Sequence, residues 1–174
     1  MVARAGHRLL RPATAGAAVT ERSSVAEPDL EDLLRRLAEA HQSLVEALKS
    51  ADPERFAKQD GGDSVKEIVE RTSDDVNFYY GRLAARAMSL PQPPCLQRAD
   101  FSSLREAVAG LQVAHRRFTN LLHDLSSGDL EREGADPELG SYTMRQTLEM
   151  ATAHYVLRTQ RVMQIQPGTS QVGG

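Results

Sequence analysis

The chain has 174 residues, a formal net charge of -3, 40% hydrophobic and 26% charged residues, the balance of one globular domain with length left over for tails. That charge provides no global basic field for recruiting nucleic acid, and no apolar run approaches the ~20 residues that cross a bilayer. A single cysteine, Cys95, excludes an intrachain disulfide and a Cys-rich zinc site, and is compatible with a cytoplasmic location.

Residues 1–26 carry Arg4, Arg8, Arg11 and Arg22 among Ala, Gly, Ser and Thr, with Glu21 as the first acid. Such a start suits an organelle transit peptide, a disordered extension, or a start codon placed too early. The end, 166–174, is rich in Gly, Ser, Thr and Pro and is expected to be disordered. The folded domain is therefore expected over 27–165.

Within it the periodicity predicts four helices. The first runs over 29–50, with Asp29 as N-cap and Leu30, Leu34, Leu37, His41, Leu44 and Leu48 on one face. Gly61-Gly62-Asp63 breaks the chain, and Ser64-Val65-Lys66-Glu67 reads as a capping box opening a second helix over 65–89. Its stripe is Val65, Ile68, Thr72, Val76, Tyr79 and Leu83, and Pro91, Pro93 and Pro94 end it. A third helix is expected over 101–125, capped by Asp100, with Phe101, Leu104, Val108, Leu111, His115, Phe118 and Leu122 as its stripe. The Gly/Pro/Asp-rich 126–142 reads as a linker. Thr143-Met144-Arg145-Gln146 is a second capping box opening a fourth helix over 144–165, with Met144, Leu148, Ala151, Tyr155 and Val162 on one face. No window alternates like a half-buried strand. Four rods of ~22 residues, ~33 Å each, predict an all-α four-helix bundle.

Ser64-Val65-Lys66-Glu67-Ile68-Val69-Glu70-Arg71-Thr72 resembles the opening of the second helix of DinB-like proteins, which often read Trp-Ser-Val-Lys-Glu-Ile/Val-Leu-x-His-Leu there. Gly140-Ser141-Tyr142-Thr143 through His154-Tyr155-Val156-Leu157-Arg158 looks like that family's final helix, which commonly bears a His-x-x-x-His pair. The resemblance covers roughly 29–165. It implies an up-down-down-up bundle and a divalent metal, zinc or nickel, held by three histidines. It also implies chemistry such as thiol-dependent transfer or isomerisation with bacillithiol or mycothiol, and frequent homodimers.

Carried over residue by residue, His154 matches the first His of the pair, while Arg71 stands at the second-helix His, Arg158 at the last His, and Asp63 at the Trp. A guanidinium has donors but no free lone pair and stays protonated at physiological pH. It cannot ligate a cation, and beside one it repels by about 1 kcal/mol per unit-charge pair at ~4 Å even in water. The ordinary three-histidine site is excluded, and no metal cofactor is expected.

Other constellations remain open. His41, His115 and His154, on three helices, could rebuild an imidazole site with Asp75 as an oxygen ligand; the bland reading is three separately satisfied histidines. Arg71, His154 and Arg158 could form a pocket for a small anionic ligand, since paired guanidiniums hold carboxylate or phosphate in bidentate geometry; against that, Arg71 could pair with Asp75 or Glu67 one turn away. Phe78, Tyr79 and Tyr80 read as core and lining, and Cys95 has no evident activating neighbour beyond Arg98. The leading expectation is a DinB-like domain without the usual metal, binding a small anion or serving as a scaffold. The alternatives are a metal-dependent thiol transferase or isomerase using His154 with atypical ligands, and a structural dimerisation module.

Overall fold

The computed structural model describes residues 28–59, 61–92 and 97–165. The expectations for 1–26, 166–174 and Cys95 fall outside them. Four rods make the bundle: α1 (Leu30–Lys49), α2 (Val65–Asp75) continued through a π-helical turn (Val76–Tyr80) into α3 (Gly81–Ala87), α4 (Leu104–Leu121) and α5 (Met144–Ile165). Asp29 caps α1 by accepting from the Asp32 amide at 2.8 Å. The Ser64–Glu67 capping box is closed in both directions, as is the reciprocal pair between Thr143 and Gln146. These caps satisfy helix-start amides that have no partner within the helix.

The contacts fix the direction of each rod. Pro28, just before α1, accepts from Arg145 at the start of α5 (2.6 Å), and His41 packs edge-on against Tyr155, so α1 and α5 run parallel. Lys66 reaches Asp100 at 2.8 Å and Tyr80 meets Phe118, so α2–α3 and α4 also run parallel. Tyr80 and Asp75 meet His154 across the bundle, while Gly62 lies against Arg161; the second rod is antiparallel to α5. The winding is up-down-down-up, as the resemblance implies. The stripes meet in one core that includes Leu37, Leu44, Leu48, Ile68, Leu83, Leu111, Phe118, Met144, Leu148 and Tyr155. Each such side chain contributes roughly 1.5–3 kcal/mol by leaving water.

Parallel second and third rods force the intervening chain to travel back along the bundle. Carboxylates on α2 tie it down: Asp74 accepts from the Ala99 amide (2.9 Å) and Glu70 from the Phe101 amide (2.8 Å). The third helix consequently starts later than its periodicity predicts. Ser103, not Asp100, caps α4, because Asp100 is drawn to Lys66.

Two further features depart from the sequence reading. The linker before α5 contains an antiparallel hairpin, β1 (Glu133–Asp136) and β2 (Gly140–Thr143), with Glu133 opposite Thr143. Its strands are too short to display an alternating pattern. β1 lies close enough to α3 that a Cβ on Gly134 would sit 2.2 Å from the Leu83 carbonyl oxygen. Asp136, its carboxylate 0% exposed, takes Arg82 at 2.7 Å and Arg86 at 3.0 Å and clamps the hairpin to that helix. The second departure is the π-helical turn. One extra residue in the coil rotates everything after it, so Tyr80 rather than Tyr79 enters the core, followed by Leu83, Ala84 and Ala87.

Candidate functional site

Arg158 and His154 lie one turn apart on α5, and Arg158 Nε donates to His154 Nε2 at 2.7 Å. Arginine has no acceptor, so the imidazole presents its Nε2 lone pair and carries its proton on Nδ1. That Nδ1–H faces the Tyr80 hydroxyl at 3.3 Å, and the hydroxyl donates on to the Met150 carbonyl at 3.4 Å. Burial, followed by the positive charge of Arg158, lowers the His154 pKa, against an opposing pull from Asp75; the neutral ring is the working state. Asp75 Oδ2 stands 3.4 Å from His154 Nε2 and 4.0 Å from the Arg158 guanidinium, which offsets two electron-rich atoms facing each other.

Tyr80 reaches this site because of the π-helical turn. Its hydroxyl pKa is raised by burial and then by Asp75. Burial, and after it the neighbouring Tyr142 hydroxyl from the hairpin, push Tyr79 up to about 12.

Arg71 takes a different partner from either one foreseen. It binds Asp63 at 2.5 Å, reaching back beyond the capping box, and feels Glu67 and Asp75 only through space. Asp75 is thus the carboxylate common to all three, through space to Arg71 and at 3.4 and 4.0 Å from His154 and Arg158. The sequence missed Asp63 as the partner of Arg71, and it marked Tyr80 only as core or lining, not as the neighbour of His154. Asp63 had one visible signal, its place where the resemblance calls for Trp beside an Arg that replaces His.

His41 and His115 do converge, but with each other and not with His154. Their rings stack at 3.7 Å and 3°, and His115 Nδ1 meets the Tyr155 hydroxyl at 3.1 Å. Burial lowers His41 to about 4, and burial with the neighbouring ring lowers His115 to about 3. His41, 8% exposed, leaves Nε2 without a hydrogen-bond partner among the described residues. His154 is left out because consecutive helix residues point ~100° apart, so Tyr155 faces the stacked pair and His154 faces Tyr80.

The fold resembles a solved one. YfiT from Bacillus subtilis, described as a probable metal-dependent hydrolase with an unusual four-helix bundle topology, matches at 18% identity over 79% of this chain and 89% of its own, with a TM-score of 0.57. This chain has the YfiT-like fold. No family model and no curated protein matches it. The description of YfiT raises the question of a metal, and the donors answer it. Among the described residues, no group of three or more His, Cys, Asp and Glu side chains could hold an ion. At the cleft, the one imidazole lone pair facing Asp75 is already used by Arg158. The residues present do not fit the metal implied by the resemblance. No helix among the described residues is long and apolar enough to cross a membrane.

Proposed function

We propose that this protein binds a small anionic molecule at the Arg158–His154 cleft without a divalent metal. The observation that supports this is the 2.7 Å bond from Arg158 Nε to His154 Nε2. It removes the metal-binding lone pair and fixes the guanidinium by its inner nitrogen. Among the described residues no acceptor lies within hydrogen-bond distance of the terminal nitrogens, the nearest carboxylate oxygen being 4.0 Å away, and the side chain is 22% exposed. A fork held in this way suits a carboxylate or phosphate. His154 acts as a positioning residue, and Arg71 adds positive potential through Asp75's surroundings.

Calorimetric titration with inorganic phosphate and with succinate tests the reading. The expected result is saturable binding that weakens about 10–100-fold in Arg158→Ala, the loss of one charge-assisted contact of ~1.5–3 kcal/mol. Binding unchanged by that substitution removes Arg158 from the site and the reading with it.

One observation supports a second reading, a dimerisation module. The outer face of α5 exposes Val156, Leu157 and Met163, with Leu157 59% exposed, beside a groove against α1 lined by Leu33 and Ala153. Sedimentation of the wild type and of Leu157→Glu decides it: a monomer in both ends this reading.

A further inference from the structure

A second polar cleft lies on the opposite side of the second rod, between α2 and α4, roofed by the returning chain at 97–101. It has a volume of about 420 Å³, within the range of small-molecule sites. Three polar groups line it without a hydrogen-bond partner among the described residues. Ser73, 2% exposed, has its Oγ buried and unpartnered. Asn77, one turn on, shares that helix face. Arg117 projects from α4.

The other charged side chains of the cleft already have partners, and Asp100 and Glu106 keep their negative charge. Asp100 holds Lys66, Glu106 accepts from the Ser102 amide and hydroxyl, and Arg98 lies 4.5 Å over the Phe78 ring with Asp74 at 3.4 Å. Arg117 is left as the charged side chain of the lining without a hydrogen bond or ion pair among the described residues. A buried hydroxyl without a partner costs about 1–3 kcal/mol, and a ligand acceptor would relieve that cost. Phe101, packed so closely over Gly110 that a Cβ there would lie 2.3 Å from its ring, and Val113 supply an apolar wall.

We infer that this cleft binds a small organic acid, its carboxylate shared between Arg117 and the Ser73 and Asn77 donors, and its apolar body on Phe101 and Val113. The site is separate from the Arg158–His154 cleft and does not depend on it.

The test is amide chemical-shift mapping of the full chain titrated with benzoate. Saturable shifts are expected around Ser73, Asn77 and Arg117, with a Kd of about 1 mM. Arg117→Ala is expected to weaken binding at least about tenfold, and Arg158→Ala to leave it unchanged. Ser73→Ala is expected to weaken binding while leaving the melting temperature of the free protein equal or higher, because it removes an unsatisfied group. Benzoate that produces no saturable shift, shifts that ignore Arg117→Ala, or a lower melting temperature in Ser73→Ala each overturn the inference.

Discussion

Replacing Arg158 with histidine tests the central physical claim by gain of function. The substitution puts a second imidazole one turn after His154, removes a fixed positive charge, and frees the His154 Nε2 lone pair now taken at 2.7 Å. Asp75 Oδ2, 3.4 Å from that nitrogen, becomes a third donor, giving two imidazoles and a carboxylate, a set that suits transition ions. A site that forms only in the folded state stabilises by about 2.7 kcal/mol when zinc is present at a hundred times its Kd. For a domain of this size that is roughly 5–10 °C in melting temperature. The assay is thermal unfolding of untagged protein with and without zinc or nickel, with a chelator as control. Arg158→Ala in parallel separates release of the lone pair from addition of a ligand and is expected to shift less. A wild-type protein that is stabilised as much as Arg158→His would refute the claim that the guanidinium excludes the metal.

The stacked histidines make stability depend on pH. Both pKa values lie below the ordinary histidine value in the fold, at about 4 for His41 and about 3 for His115, so the unfolded chain binds protons first. Stability is complete above pH ~6.5 and falls below it by about 1.4 kcal/mol per pH unit for each histidine. Denaturant titrations between pH 7 and 4.5 should show a combined slope of about 2–3 kcal/mol per unit, roughly halved in His41→Leu; an unchanged slope in that variant contradicts the assignment. Gly134→Ala is expected to destabilise by about 1–3 kcal/mol, because the new Cβ must displace β1 from the Leu83 carbonyl; a neutral result in urea unfolding would show the hairpin to be loosely docked. Asp136→Asn should cost about 1–3 kcal/mol, and as a local effect it should raise hydrogen exchange in the hairpin more than in the α1–α5 pair.

The bundle was legible in the sequence because its signals are local. Capping boxes at Ser64 and Thr143 and stripes at three- and four-residue spacing determine where rods begin and which side is buried, whatever they pack against. What was not legible depends on contacts distant in the chain. Asp100 has the chemistry of a cap but is taken by Lys66, 34 residues away. The π-helical turn leaves no mark in a pattern read at 3.6 residues per turn, so the periodicity puts Tyr79 on the buried stripe where the structure buries Tyr80 more deeply. The site was legible at the level of residue type, since guanidiniums at 71 and 158 rule out ordinary ligation. Their partners depended on how the rods cross: Asp63 for Arg71 and the His154 lone pair for Arg158.

The proposed anion site differs in its electrostatics from the metal centre that the resemblance implies. A three-imidazole centre holding a divalent ion presents two positive charges to an incoming anion. Arg71 and Arg158 also bring two positive charges, but Asp63 pairs with Arg71 and Asp75 stands 4.0 Å from Arg158, so these four side chains sum to zero. In the proposed reading the pull on an anion therefore comes from the directed terminal N–H groups of Arg158 and not from net charge. Activation of a bound water does not survive, since guanidinium has no empty orbital to accept a lone pair and so no means of lowering that water's pKa. Hydrogen-bond donors without Lewis acidity suit the binding role proposed above. The two guanidiniums can therefore be tested apart: Arg71→Gln should weaken phosphate binding less than Arg158→Gln and show a stronger dependence on salt, because Arg71 acts through space and screening reduces exposed charge interactions over about 10 Å at 0.1 M. Equal losses with equal salt dependence would place both groups in direct contact with the anion and require Asp63 to release Arg71.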